Sequence, residues 1–215
     1  MAHSYKNLNP EKAFIWRIVH RDNLPWIWAN GLHCGNSALR SPAWVNIGNE
    51  DLIQKRATRP VPVAPGGALN DYVPFYFTPF SLMMYNIHTG RGVLQRSNAE
   101  IVILVSSLPR LQELGIPFVF TDKHAKVALA RFFSDTAQLD QVDWPLLQSR
   151  NFSRDPNDPE KLERYQAEAL VHRHCPISAL LGAVCYTDQI KHDIDAQLAG
   201  HGLNLDVHAM PGWYF

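Results

Sequence analysis

About seven strand-like segments, interleaved with several helical ones in no strict βαβ alternation, predict an α+β fold built on a mixed or antiparallel sheet pair. Composition supports a packed core: 46% of residues are hydrophobic and 19% charged, which separates the chain from disordered polymers. At 215 residues the expectation is one domain, residues 1–215, large enough for folding to bury roughly 70% of the unfolded surface.

The elements follow in order. FIWRIV (14–19) reads as a first strand. Asp22 is the expected N-cap of a helix carrying Leu24, Ile27 and Trp28 at helical spacing, which Gly31 stops. Residues 35–67 hold Gly, Ser, Asn and Pro around a short helix-compatible EDLIQKRA, and read as a long surface excursion. YVPFYF (72–77) is an aromatic strand, SLMMYNI (81–87) a short apolar helix, and IVILVSS (101–107) a buried strand. Ser107 caps a helix that ends at Gly115, IPFVF (116–120) is a strand, and Thr121 and Asp122 are expected to cap a helix over KHAKVALARFF. A further helix falls within 135–150, and two Asp-Pro steps make RNFSRDPNDPE (150–160) a loop. Strands are expected over 166–173, 182–187 and 203–208, with a helix from Thr187 to Gly200 between the last two.

Charge and cysteine content exclude several classes. Twenty Lys+Arg balance twenty Asp+Glu, so there is no strongly basic coat, although a local basic groove remains compatible with neutrality. Three cysteines without a C-x-x-C pair argue for a reducing compartment and against a disulfide scaffold or zinc knuckle. MAHSYKNLNPEK lacks a signal-peptide apolar region, and IVILVSSL is too short to span a bilayer, so a soluble cytoplasmic protein is expected. The nucleotide, metalloprotease and hydrolase motifs GxGxxG, GxxxxGK[ST], HExxH and GxSxG do not occur.

Several side chains pose a choice between chemistry and packing. His172 and His174 share a face if both lie on one strand, as a metal pair requires, but no second ligand cluster accompanies them or Cys175. Cys34 has no neighbouring pattern of a nucleophile. Gln166 and Glu168, two apart, are expected on one strand face, either as a polar site at a sheet edge or as a solvent-facing strand end. Arg17 inside FIWRIV marks either a cleft or a snorkelling side chain. Arg56 sits with Lys55 and Arg59 in the excursion, as a phosphate contact or as solvated charge. Tyr72, Phe75, Tyr76 and Phe77 are either core or stacking rings.

Beyond these readings, FIWRIVHRDNLPWIWANGL, RPVPVAPGGALNDYVPFYFTPFSLMMY, GIPFVFTDKHA, ARFF and YQAEALV together resemble the DarT family, the DNA ADP-ribosyltransferase toxins of bacterial toxin–antitoxin systems. The similarity spans about residues 14–215 and is nearest the branch that modifies thymidine in single-stranded DNA; NDYVPFYF followed by S-x-M-x-Y is its most specific block. The resemblance implies the ADP-ribosyltransferase fold, a split central sheet with peripheral helices and an NAD cleft. It assigns the cofactor strand to Arg17, Ile18, Val19 and His20, with Val19 replacing the usual threonine and its hydroxyl, and places Trp26 beside the cofactor. The Q-x-E motif supplies Glu168 as the catalytic glutamate, and the helical position ten residues before Gly66 supplies Arg56 as the catalytic arginine. Residues 35–67 would cover the NAD site. Residues 150–165 would form the target-recognition loop, with Arg150, Arg154 and Arg164 as DNA contacts, and Tyr72 or Tyr76 with Met84 would flank the base.

The implied reaction breaks the nicotinamide–ribose bond through an oxocarbenium-like transition state. Glu168 would hold the ribose and stabilise the developing charge, while Arg56 would stabilise the thymine N3 anion. NAD is consumed, no metal is required, and single-stranded DNA avoids the energy of flipping a base from a duplex. The implied partner is an antitoxin of the macrodomain (DarG) type that removes the modification. Two alternatives stand beside this: a transferase of the same fold acting on guanine, RNA or protein, and a non-catalytic nucleic-acid-binding module.

Overall fold

The computed structural model describes residues 5–215. Its strands are β1 (Phe14–His20), β2 (Leu32–His33), β3 (Tyr72–Tyr76), β4 (Ile101–Ser107), β5 (Phe118–Thr121), β6 (Phe132–Phe133), β7 (Glu168–His172), β8 (His174–Cys175), β9 (Gly182–Cys185) and β10 (Asp206–Ala209). Its α-helices are α1 (Leu24–Asn30), α2 (Glu50–Thr58), α3 (Leu82–Thr89), α4 (Leu108–Glu113), α5 (Trp144–Ser149), α6 (Lys161–Arg164) and α7 (Asp188–Gly200).

Eight strands form one sheet in the order β10-β9-β4-β1-β3-β7-β5-β6, and β2 and β8 form a separate ribbon. Every neighbouring pair is antiparallel except β9 and β10. The α+β expectation therefore holds, with one large sheet and a two-stranded ribbon.

The large sheet is nearly two sheets. β1 pairs with β4 along its whole length, from Phe14↔Ser107 to His20↔Ile101, and β3 pairs with β7 from Tyr72↔His172 to Tyr76↔Glu168. Between β1 and β3 the register holds only Trp16↔Tyr76. Pro74 lies on the open side of this junction, where it has no N–H to offer a ladder. Arg17 Nη1 donates to the Pro74 carbonyl at 2.8 Å in place of the lost ladder bond. Past that point Arg17–His20 have a strand on one side only, and the gap on the other side is the cleft.

Packing follows the two-residue alternation of the strands. Val73, Phe75, Ala169 and Val171 face the main core, whereas Tyr72 and Leu170 face a smaller cluster with Val61, Leu69, Val119, Ala125 and Phe132. The excursion closes that second cluster: Pro60 bridges Ala68, Val61 N donates to Gly67 O, and the Tyr72 hydroxyl donates to Gly66 O at 2.6 Å. Glu168 and its cross-strand partner Tyr76 share the face of Leu170 and Tyr72, the one over which α2 lies.

Several expectations need correction. KHAKVALARFF is not a helix. Asp122 accepts from Arg131 N and Nε at 3.0 and 2.8 Å, closing residues 122–131 into a loop that ends in β6. Asp22 is not the cap of α1; a 3-10 turn over Arg21–Asn23 precedes the helix, and His20 Nδ1 accepts from Asp22 N. The 135–150 region splits into a 3-10 segment (Thr136–Gln141) and α5. The strand expected over 166–173 is only β7, because Gln166 lies in a turn and Arg173 adopts φ 62°. That left-handed residue sends His174 into the ribbon, so His172 and His174 do not share a strand: His172 packs on Tyr72, and His174 bonds the Asn30 carbonyl. Ser107 caps α4 as the sequence indicates, and the helix expected from Thr187 to Gly200 is α7, with Thr187 as its N-cap.

Phe120 is fully buried and stacks on Phe133 at 5.2 Å between ring centres. Phe120→Ala is expected to lower unfolding free energy by about 3–5 kcal/mol. Thr187→Ala, which removes only the α7 cap, should lower it by about 1 kcal/mol. Urea unfolding midpoints at constant slope check both.

Candidate active site

The cleft beside β1 has a volume of about 170 Å³. Arg17, Ile18, Val19 and His20 form one wall, Pro74, Tyr76 and Glu168 the floor, and Trp44–Asn49 with Leu52, Ile53 and Arg56 the opposite wall. The excursion thus supplies a side of the cleft. Two asparagines hold it there. Asn23, 2% exposed, exchanges two hydrogen bonds with Val45, through Nδ2 to the carbonyl at 2.9 Å and Oδ1 from the amide at 2.8 Å. Asn49 caps α2 by accepting from Leu52 N and donates to Gly92 O at 2.8 Å. No residue of α2 is buried, so polar ties, these and the bond from Arg56 to Glu168, set where the helix sits in place of a packed face.

Glu168 opens β7 and is 1% exposed, which excludes a solvent-facing strand end. Arg56 Nη1 donates to its Oε2 at 2.8 Å, and the Ala125 amide donates to Oε1 at 3.0 Å. His124 Nδ1 lies 2.7 Å from the same Oε1, close enough for a charged pair, with the ring turned away from hydrogen-bond alignment. Burial pushes the Glu168 carboxyl up, but Arg56 and His124 outweigh it and hold the group well below the usual carboxylate range. Burial, followed by the neighbouring Arg56, lowers the Arg17 guanidinium to about 10, which leaves it charged at neutral pH. Burial, reinforced by Glu168, pushes the Tyr76 phenol up, so its hydroxyl stays protonated.

The charge balance is informative. Glu168 is the one carboxylate among the lining residues, against the guanidinium groups of Arg17 and Arg56. Arg17 Nε and Arg56 Nη2 are buried without a hydrogen-bond partner. Such donors are costly when unpaired. Their concentration around one cavity fits an anionic ligand with several acceptor oxygens, such as a dinucleotide pyrophosphate, and the four-residue open edge of β1 offers unpaired backbone to an amide.

Of the residues singled out in the sequence, Arg17, Ile18, Val19, His20, Arg56, Tyr76 and Glu168 meet at the cleft. Others do not. Trp26 stands behind the cleft wall, edge-on to Trp44 at 5.7 Å; it is Trp44 that lines the cavity. Met84 is buried in the core at 1% exposure, while Met83 lines the cleft and takes the Tyr76 hydroxyl at 3.6 Å. One helical position turns the side chain by about 100° and exchanges their roles. Gln166 bonds the Leu162 carbonyl, not a ligand face, and the Tyr72 hydroxyl is taken by Gly66. Arg150 stacks on Phe80 at 3.6 Å, and Arg164 is forked on Asp158 and held by Asp143, so both are structural in this loop. Arg154 remains exposed on it. The three cysteines are buried free thiols outside the cleft. His124, Trp44, Asn23 and Met83 were missed. His124 sits in TDKHA, one of the recognised segments, where a helical reading hid it.

The family model described as "ssDNA thymidine ADP-ribosyltransferase, DarT" matches residues 16–215. A DNA ADP-ribosyl transferase of Escherichia coli O127:H6 (strain E2348/69 / EPEC) is 56% identical over 217 residues, covering 100% of both chains. Thermus sp. 2.9 DarT in complex with ADP-ribosylated ssDNA superposes with a TM-score of 0.89 at 32% identity, over 100% of each chain. The same Thermus protein in complex with NAD+ gives a TM-score of 0.84 at 33% identity, over 96% of this chain and 99% of that one. A family match across nearly the whole chain, joined to a split sheet whose cleft holds a buried glutamate–arginine pair, leaves one conclusion: the chain belongs to the DarT family of single-stranded-DNA thymidine ADP-ribosyltransferases.

Proposed function

We propose that this chain transfers ADP-ribose from NAD to N3 of thymidine in single-stranded DNA, with Glu168 and Arg56 as its catalytic residues. The observation that carries the reading is the buried Glu168–Arg56 pair at the floor of a cleft with unsatisfied cationic donors. Arg17 and the Ile18 backbone on the open edge of β1, with Val19 and His20, hold the NAD. A carboxylate kept ionised beside the ribose suits an oxocarbenium-like transition state, because fixed negative charge stabilises positive charge developing on C1″.

The bond from C1″ to the nicotinamide nitrogen breaks, and the electron pair leaves with nicotinamide. Thymine N3 loses its proton to solvent, and its lone pair forms the new C1″–N3 bond. Arg56 remains charged and stabilises the thymine anion through the face it does not give to Glu168. Tyr76 and Met83 at the floor flank the incoming base, and Arg154 meets the DNA backbone. Unstacked bases reach this floor without leaving a duplex. Such a mark blocks replication, which gives a toxin its effect in the cytoplasm, and a macrodomain antitoxin that removes it is the matching partner.

Incubation with NAD and a mixed-sequence single-stranded oligonucleotide, read by intact mass, should show one added ADP-ribose, mapped by fragmentation to thymine. An adduct on guanine, or none from folded protein that binds NAD, overturns the reading. Glu168→Gln should lower transfer by about 10²–10³-fold with the fold retained, as expected for losing one electrostatic stabiliser. Arg56→Lys should also lose most activity, since a point charge cannot serve carboxylate and base together.

The depressed Glu168 ionisation has a further consequence. A carboxyl group with a lowered folded-state value adds stability above its unfolded value, about 4.3, and loses it as pH falls toward the folded one. The difference in thermal midpoint, wild type minus Glu168→Gln, should be constant near neutrality and decline below about pH 4.3. A pH-independent difference would remove the ion-pair account.

A further inference from the structure

The segment Thr121–Ala125 touches the reacting carboxylate on one side and the end of the 150–165 loop on the other. Toward the carboxylate, Thr121 Oγ1 accepts from Glu168 N at 3.1 Å and donates to Lys123 O at 2.6 Å, while the Ala125 amide donates to Glu168 Oε1. Toward the loop, His124 N donates to Glu163 O at 2.9 Å, and Lys123 Nζ pairs with Glu160 Oε2 at 2.9 Å. The Lys123 side chain is 9% exposed and that of Glu160 50%. A nearly buried ammonium with one carboxylate partner is uncommon, and it depends on that partner for compensation. Beyond it, Arg164 forks onto Asp158 and also binds Asp143, so the loop end is braced on both flanks.

We propose that the Lys123–Glu160 pair is a positioning device that locks the target loop to Glu168 and His124, so that cleavage of NAD is spent on thymidine and not on water. Lys123 and Glu160 touch neither reacting atom; they act through the segment between them. This rests on Glu168 being the acting carboxylate and on residues 150–165 meeting the DNA. When the loop and carboxylate are uncoupled, C1″ is still released from nicotinamide, which leaves with the electron pair. Water then forms the C1″–O bond and gives its proton to solvent. Uncoupling therefore appears as nicotinamide release without a DNA adduct.

The test measures nicotinamide release and thymidine adduct in parallel for wild type, Lys123→Met, Lys123→Arg, Glu160→Gln and the double variant Lys123→Met/Glu160→Gln. Each charge-removing single variant should raise nicotinamide released per adduct by about three- to tenfold, the range of a contact coupling, with NAD affinity unchanged. The double variant should be no worse than either single one, and Lys123→Arg should stay near wild type. Glu160→Gln alters a half-exposed side chain, so it reports even where Lys123→Met folds poorly. The proposal is overturned by a wild-type ratio in Glu160→Gln. It is also overturned where both activities and NAD affinity fall together, the mark of general disruption. Loss of single-stranded-DNA affinity confined to Lys123→Met would make that lysine a phosphate contact and overturn the coupling too. Glu168→Gln in the same assay separates the two readings: full transfer there sinks the assignment of the carboxylate, whereas its loss with unaltered ratios in the other variants sinks only the coupling.

Discussion

A carboxylate taken out of water needs compensation, and the arrangement around Glu168 supplies it through three groups from two parts of the chain. Arg56 arrives from α2, 112 residues away in sequence, and His124 and the Ala125 amide arrive from the loop after β5. Without them, burying Glu168 beneath the helix would be prohibitive. With them, the pair draws α2, which has no buried face of its own, down onto the sheet. The same interaction thus keeps the carboxylate ionised and closes the cleft wall.

The cleft exists because the sheet fails to close. A single register pair, Trp16↔Tyr76, joins two well-laddered halves. Pro74 withholds a donor where a continuous ladder would need one, and Arg17 reaches across to its carbonyl. A charged side chain inside an apolar strand is therefore a structural bridge as well as a cleft residue. The surplus of cationic nitrogen over carboxylate in that gap suits a polyanionic dinucleotide better than any neutral ligand.

Much of the fold was legible. The apolar runs at β1 and β4, the Ser107 cap, the Gly31 stop and the helix that ends at Gly200 all carry local signals that tertiary contacts did not override. The helix expected over 123–133 failed because Asp122 spends its carboxylate on Arg131, closing a loop where a helix was favoured by propensity. The strand expected through 173 failed at one left-handed arginine, which no periodicity announces. At the site, Glu168 and Arg56 were found through motif resemblance; pattern alone ranked both as solvated charges.

The sequence by itself determined the composition of a packed α+β domain, through local periodicity, and the family resemblance that singled out Glu168 and Arg56, through whole segments that match a known pattern. Only the tertiary structure decided which neighbours of those residues matter: Trp44 over Trp26, Met83 over Met84, His124 from a segment read as helix, and Arg150 and Arg164 as braces in the loop. Those choices depend on side-chain direction and on partners far apart in sequence. A shift of one helical position or one backbone angle re-aims a side chain without changing the pattern from which it is read.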